Sequence, residues 1–192
     1  MILPINPTIN RDQFTDNEFY EFCLANPDFR IERDKHGQIY FEIPTGTKTS
    51  FRNADLVADV VIWNRQTRSG RVSESNGGYK LPDGSTRAPD VAWVSNERWN
   101  AATAEEQDKF AQICPDFVLE LASDKYEVDW LRKKMKKYLH NGVRLGWIVD
   151  PSAQQTIVYR PDHEPLTVPF AEALTGYEVM SGLVLQMSEL ME

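Results

Sequence analysis

Cysteine is scarce: there are two among 192 residues. Cys23 and Cys114 lie far apart between apolar neighbours, so both read as buried free thiols, and neither a disulfide framework nor a metal pair is expected. The three histidines, His36, His140 and His163, show no zinc-ligand spacing with one another or with cysteine. No apolar run approaches the roughly 20 residues that cross a bilayer. Met1 to Arg11 lacks a basic segment followed by an apolar core, so no secretory signal is expected. A cytoplasmic location without a membrane partner follows as the expectation. A Gly-x-Ser-x-Gly elbow is missing. No glycine-rich phosphate loop follows a strand; Pro44-Thr45-Gly46-Thr47-Lys48-Thr49 lacks both the spacing and the first glycine. Repeats, low-complexity segments and linkers are absent too, so residues 1–192 read as a single domain.

An excess of positive charge is also lacking. The net charge is −8, from 29 acids and 21 bases. This counts against a nucleic-acid partner, whose phosphates are bound by clustered Lys and Arg. Local charge matters more than the total, however. Lys125, Arg132, Lys133, Lys134, Lys136 and Lys137 fall within one short stretch. The 41% hydrophobic and 11% aromatic content supplies a real core.

Several elements are legible. Thr15 and Glu18 have capping-box spacing before Phe19, Phe22 and Cys23, which predicts a helix ending near Asn26-Pro27. Phe29 to Arg33 and Gln38 to Ile43 read as a hairpin. Leu56, Val57, Val60 and Val61 predict a second helix over about Ser50 to Asn64, with Ser50 as cap. Short strands are expected at Arg71 to Glu74, Tyr79 to Leu81, Val91 to Val94 and Phe117 to Leu121. A helix is expected from Thr103. Another runs from Tyr126 to His140, closed by Asn141-Gly142. Leu145 to Val149 and Thr156 to Tyr159 are strands, and Tyr177 to Leu190 holds a short strand and a last helical turn. The order predicts an α/β (α+β) mixed sheet flanked by helices, with an N-terminal helix and hairpin.

Two carboxylates stand out. Asp90 opens the apolar strand Val91–Val94, where a simple turn role is the competing reading. Glu120 lies inside an apolar strand, so it must be paired, protonated or metal-bound. Asp116 shares its face but sits four positions away, roughly 13 Å at the usual strand rise. That is too far to share one cation, so Asp116 reads as the strand's opening turn. On the following helix, Val128, Leu131, Met135, Tyr138 and Leu139 form the apolar stripe at about 100° per residue. Lys134 falls on one shoulder of that stripe and Arg132 on the other. Lys133 and Lys137 point away, and Lys136 lies between. A shoulder lysine can send its amine along the packed surface toward the sheet, and the helix alone does not choose between Lys134 and Arg132.

The chain resembles the Uma-type restriction-endonuclease branch of the PD-(D/E)xK nuclease superfamily along nearly its whole length. The resemblance is carried by Leu81-Pro82-Asp83-Gly84-Ser85, Ala88-Pro89-Asp90-Val91-Ala92, Pro115-Asp116-Phe117-Val118-Leu119-Glu120, Lys134 with Tyr138-Leu139, and Gly142-Val143 leading to Trp147-Ile148-Val149-Asp150-Pro151. It implies a restriction-endonuclease-like fold and a DNA endonuclease in which Asp90 and Glu120 ligate Mg²⁺ or Mn²⁺. The superfamily's strand lysine, two residues after the glutamate, is replaced here by Ala122. The resemblance implies that Lys134 on the next helix takes that role. A further early acid, Glu32 or Glu42, is expected to complete the site, with Asn53 and Tyr138 in support. DNA is the implied partner, and a homodimer would suit a symmetric substrate. The alternative is a catalytically degenerate relative that binds DNA or a protein. Glu120→Ala and Lys134→Ala are expected to abolish cleavage and leave the fold intact.

Overall fold

The apolar runs around Val91, Phe117 and Leu145 are buried along their lengths because they form the middle of a sheet. A computed structural model describes residues 14–191 and the backbone of residues 2–4. Most of Met1 to Arg11, read above for a signal, therefore lies outside the described residues. In chain order the elements begin with β1 (Ile2–Pro4), α1 (Asp16–Ala25), β2 (Arg30–Arg33), β3 (Ile39–Glu42) and α2 (Thr47–Thr67). There follow β4 (Gly70–Glu74), β5 (Tyr79–Lys80), β6 (Thr86–Arg87), β7 (Val91–Ser95), α3 (Asn96–Ala101) and α4 (Ala104–Gln107). Next come β8 (Phe117–Leu121), α5 (Val128–His140), β9 (Leu145–Asp150), β10 (Gln155–Tyr159) and β11 (Leu166–Pro169). The chain closes with β12 (Ala173–Thr175), β13 (Val184–Gln186) and α6 (Met187–Leu190).

The main sheet has the order β11-β10-β9-β8-β7-β4. Only β8 and β9 pair in parallel; the other neighbours are antiparallel. A parallel pair needs a crossover, and α5 is that crossover. Its apolar stripe therefore packs on one face of the sheet. Val118, Ala122, Ile148 and Ile157 meet Val128, Leu131, Met135 and Tyr138 there. The other face buries Trp93, Phe117, Leu119 and Trp147 against Leu56, Val60 and Trp63 of α2 and against the C-terminal segment. The result is the expected mixed sheet flanked by helices. Among the described residues no helix is long and apolar enough to cross a membrane.

A second sheet, β1-β3-β2-β6-β5, contains the expected hairpin. Its pairing sets Arg30 opposite Glu42 and Glu32 opposite Tyr40. Strand alternation then puts Arg30 and Glu32 on one face and Ile31 on the other. Ile31 packs with Phe19 and Ile39 under α1, whose capping box between Thr15 and Glu18 is formed as expected. Residues 87–90 carry the chain from this sheet into the main one. The two sheets meet there.

The structure differs from the sequence reading at several elements, among them the short strands β1, β6 and β12, which were not expected. Helix α2 starts at Thr47, with Gly46 and not Ser50 as N-cap, and runs to Thr67. Helix α3 was not expected; it is a short polar helix capped by Ser95, which accepts from the Arg98 amide at 3.4 Å. The helix expected from Thr103 is a single capped turn. Strand β11 was missed because it is a short, largely exposed edge strand ending in proline.

Gly146 fixes how closely α5 approaches the sheet. A β-carbon there would lie 2.2 Å from the Met135 sulfur, and Met135 is fully buried. Gly146→Ala should cost about 1–3 kcal/mol through overpacking. A urea unfolding curve would reveal it, and an unchanged midpoint would contradict this account of the helix–sheet contact.

Candidate functional site

Glu120 is only 2% exposed, on the α5 face of the central strand β8. An ionised carboxylate cannot sit there without partners. Its Oε1 accepts from the Tyr138 hydroxyl at 3.0 Å and lies 2.8 Å from the Lys134 ammonium. Both partners come from the stripe of α5 and its shoulder. Lys134 is 3% exposed, so its amine does turn inward along the packed surface. Arg132, on the opposite shoulder, stays exposed and faces Asp129 at 3.9 Å. Lys133, Lys136 and Lys137 are exposed as well.

The hairpin closes over this pair. Glu32 is fully buried; its Oε1 stands 2.9 Å from Lys134 Nζ and accepts the Ala88 amide at 2.9 Å. Its Oε2 pairs with Arg87 at 2.8 Å. Glu42 lies farther from Lys134, at 3.8 Å, and is held by Arg30 Nε at 2.6 Å. Both early acids named from the sequence thus reach the site, with Glu32 in the tighter contact.

Asp90 enters from the start of β7. Its Oδ2 accepts the Leu121 amide at 2.8 Å and its Oδ1 takes Arg30 Nη1 at 3.0 Å. Arg30 also donates to the Ala88 carbonyl. Asp90, Glu42 and Glu120 face one cavity of about 330 Å³, together with Asn53 and Trp130. The Asn53 amide oxygen is buried there without a hydrogen-bond partner. Asp116 lies at the other end of β8, where it accepts the Ser95 amide and pairs with Arg98 and Arg144. Its place is structural, in keeping with the spacing argument. Ala122 is buried in the α5-side core just after β8.

Sequence reasoning passed over Arg30, Arg87 and Trp130. The hairpin register carried a signal for the first, because a residue two before Glu32 shares its face and opposes Glu42. Arg87 and Trp130 had none, since each depends on how the two sheets and α5 meet.

Four carboxylates and three cations share this region. Burial pushes the Glu120 carboxyl up and Lys134 pulls it down, but Asp90, Glu32 and Glu42 push it up again, to about 8. Glu42 is raised in the same way, burial first. Glu32 goes the other way: Lys134, Arg87 and the Ala88 amide outweigh its burial and hold it below the usual carboxylate range. Burial works against the Lys134 ammonium, yet Glu120, Glu32 and Glu42 raise it above the ordinary lysine value. Burial and the neighbouring Glu120 hold the Tyr138 hydroxyl well above its ordinary value, so it stays a donor. Between pH about 4.5 and about 8 the folded metal-free protein keeps a proton on Glu120 that the unfolded chain has released. Stability should therefore fall as pH rises across that window. Melting temperatures measured from pH 5.5 to 8.5 in chelator check this, and Glu120→Gln should flatten the slope.

Among the described residues no three His, Cys, Asp or Glu side chains stand ready as a metal cluster. The donor chemistry nevertheless fits a hard divalent cation. Asp90, Glu120 and Glu42 are oxygen donors on one cavity, and Arg30 is the cation that lines it with them. Added positive charge would let Glu120 ionise near neutral pH.

Comparison with known proteins bears on the fold and the family. No curated protein matches the chain. Among solved structures it is similar to a protein of Anabaena variabilis ATCC 29413 described as a putative nuclease belonging to DUF820. That match has a TM-score of 0.69 and 21% identity, and covers 84% of this chain and 89% of the other. At this identity the likeness establishes the shared fold. A family pattern described as "Uma2: Putative restriction endonuclease" matches residues 16–188, from the first residue of α1 into α6. The match spans every strand of the main sheet and every residue lining the cavity, and this chain belongs to the Uma2 family.

Proposed function

We propose that the chain is a DNA endonuclease that hydrolyses phosphodiester bonds with Mg²⁺ or Mn²⁺ held by Asp90 and Glu120. The observation that carries this reading is convergence. Asp90 and Glu120 come from a strand start and a strand interior and meet Glu42 at one cavity, and the Lys134 ammonium from α5 stands behind them against Glu120 and Glu32. The family's description and the nuclease-like fold support the same reading. The whole chain, 1–192, would act as one cytoplasmic domain, and a two-fold pair of chains would match a symmetric duplex.

Bound there, the cation would lower the pKa of a ligated water and neutralise phosphate charge. The chain's own residues divide the remaining work. Lys134 stays protonated, so its role is to offset developing negative charge and to donate a hydrogen bond; it is a poor base. Glu32 and Tyr138 are positioning residues: Glu32 aims Lys134, and Tyr138 fixes one oxygen of Glu120. Glu42 is the third oxygen donor at the cavity, and Asn53 offers its unpartnered amide oxygen there. Arg30 orients Asp90.

A metal titration tests the site directly. Mn²⁺ or Mg²⁺ at a hundred times its dissociation constant should stabilise the fold by about 2.7 kcal/mol. The gain should grow between pH 6 and 8.5, as less proton remains to be displaced from Glu120. Glu120→Gln should abolish it. A cation that leaves the wild-type melting temperature unmoved, with no cleavage of DNA in its presence, removes the catalytic reading and leaves a binding role for the fold.

A further inference from the structure

Arg87 links the carboxylate site to a second, cationic cleft. The cleft has a volume of about 260 Å³ and is lined by Lys35 and His36 of the β2–β3 turn, by Arg87, and by Lys136, Lys137 and His140 at the end of α5. Lys35, His36, Lys136, Lys137 and His140 are exposed. The three lysines form no ion pair among the described residues. Two carboxylates also face the cleft, and both are already engaged. Asp34 accepts the amides of His36 and Gln38 and the Tyr40 hydroxyl. Asp83 accepts the Ser85 amide and hydroxyl. Cations in the last turn of α5 are explained in part by the helix dipole. The dipole does not explain Lys35 and His36, which come from another element and turn to the same cleft. In a chain of net charge −8 such a gathering needs a reason.

We propose that this cleft seats the phosphodiester backbone of the DNA that the carboxylate site cleaves. The inference rests on the nuclease reading above. The cleft and the site share α5 and one buried carboxylate. Glu32 holds Arg87 with one oxygen and Lys134 with the other. Lys137 is three residues past Lys134, about 4.5 Å along the helix axis. Phosphates of one duplex strand follow one another about every 3.4 Å of axis. The carboxylate cavity is lined on α5 by Trp130, seven residues before Lys137 and about 10.5 Å along the axis, so a backbone resting on Lys136 and Lys137 reaches it about three nucleotides on. Lysines suit this task because they act as point charges on phosphate and read no sequence.

The experiment is fluorescence anisotropy of a labelled DNA duplex with the full chain carrying Glu120→Gln, so that cleavage does not intervene. Lys136→Ala/Lys137→Ala is added to that background. A control pair, Arg65→Ala/Lys109→Ala, removes the same charge outside the cleft. Losing two phosphate contacts should weaken binding about ten- to a hundredfold near 0.1 M salt and reduce the slope of log K against log salt by about 2. The control pair should change neither comparably. In the otherwise wild-type protein the cleft variant should keep the Mn²⁺ shift in melting temperature. If the background protein binds DNA and the cleft variant binds it equally, with the same salt slope, the cleft assignment is overturned and the nuclease reading stands. If the background protein binds no duplex at all, the nuclease reading falls and the cleft proposal falls with it.

Discussion

Lys134→Ala should destabilise the protein by about 3–5 kcal/mol, the usual cost of removing one partner from a buried ion pair. For a chain of this size that is a drop of roughly 10 °C in melting temperature. The reason is the surplus of acid. Without the ammonium, Glu32 and Glu120 face each other across a dry gap, with Arg87 alone to balance Glu32. Both glutamates are almost fully buried, so water cannot take over. This prediction departs from the expectation, drawn from sequence, that alanine at this position leaves the fold intact. The sequence reading turned this shoulder lysine toward the sheet but did not place it between two buried glutamates, Glu32 and Glu120. Denaturant unfolding of the purified variant decides the matter. A single variant that melts within a degree or two of wild type would mean that the charge network contributes little.

Glu120→Gln should leave the fold in place and lower DNA cleavage about a thousandfold or more. A carboxylate that holds the cation is worth several kcal/mol to the transition state, and each 1.4 kcal/mol is tenfold in rate. Glutamine keeps the shape and an oxygen for the Tyr138 hydroxyl. It also removes the carboxyl that burial, Asp90, Glu32 and Glu42 raise to about 8, so stability at pH 8 should hold or rise. Single-turnover cleavage of a supercoiled plasmid with Mg²⁺ gives the rate. Cleavage at the wild-type rate by a folded Glu120→Gln protein would exclude Glu120 as a metal ligand. Loss of activity here can be read cleanly, whereas loss of activity in Lys134→Ala is mixed with loss of structure.

Much of the site was legible because strand and helix periods are local properties. Glu120 in the run Phe117–Leu121 announces a buried carboxylate, since neighbouring apolar residues commit the strand to the interior. The same period separates Asp116 from Glu120, and the structure places Asp116 at the far end of β8 against Arg98 and Arg144. Asp90 at the start of an apolar strand was ambiguous with a turn residue, and no local pattern resolves that. Lys134 and Arg132 occupy equivalent shoulders of the α5 stripe. Only the direction from which β8 and the hairpin approach α5 separates them.

The sequence by itself determined the buried strands, the helix that follows Glu120, the hairpin, the mixed α/β class and the list of acids from which a site could be drawn. These follow from periodicity and capping, which act over a few residues. Tertiary structure decided which charges meet. Glu32 and Glu42 were two equal candidates until the hairpin folded over α5 and put Glu32 against Lys134 and Arg87, with Glu42 left to Arg30. It also decided the protonation of Glu120, because a carboxyl's affinity for its proton depends on burial and on every charge nearby. Those charges come from β2, β3, β7 and α5 and are brought together by the packing of two sheets. No window along the chain contains them all.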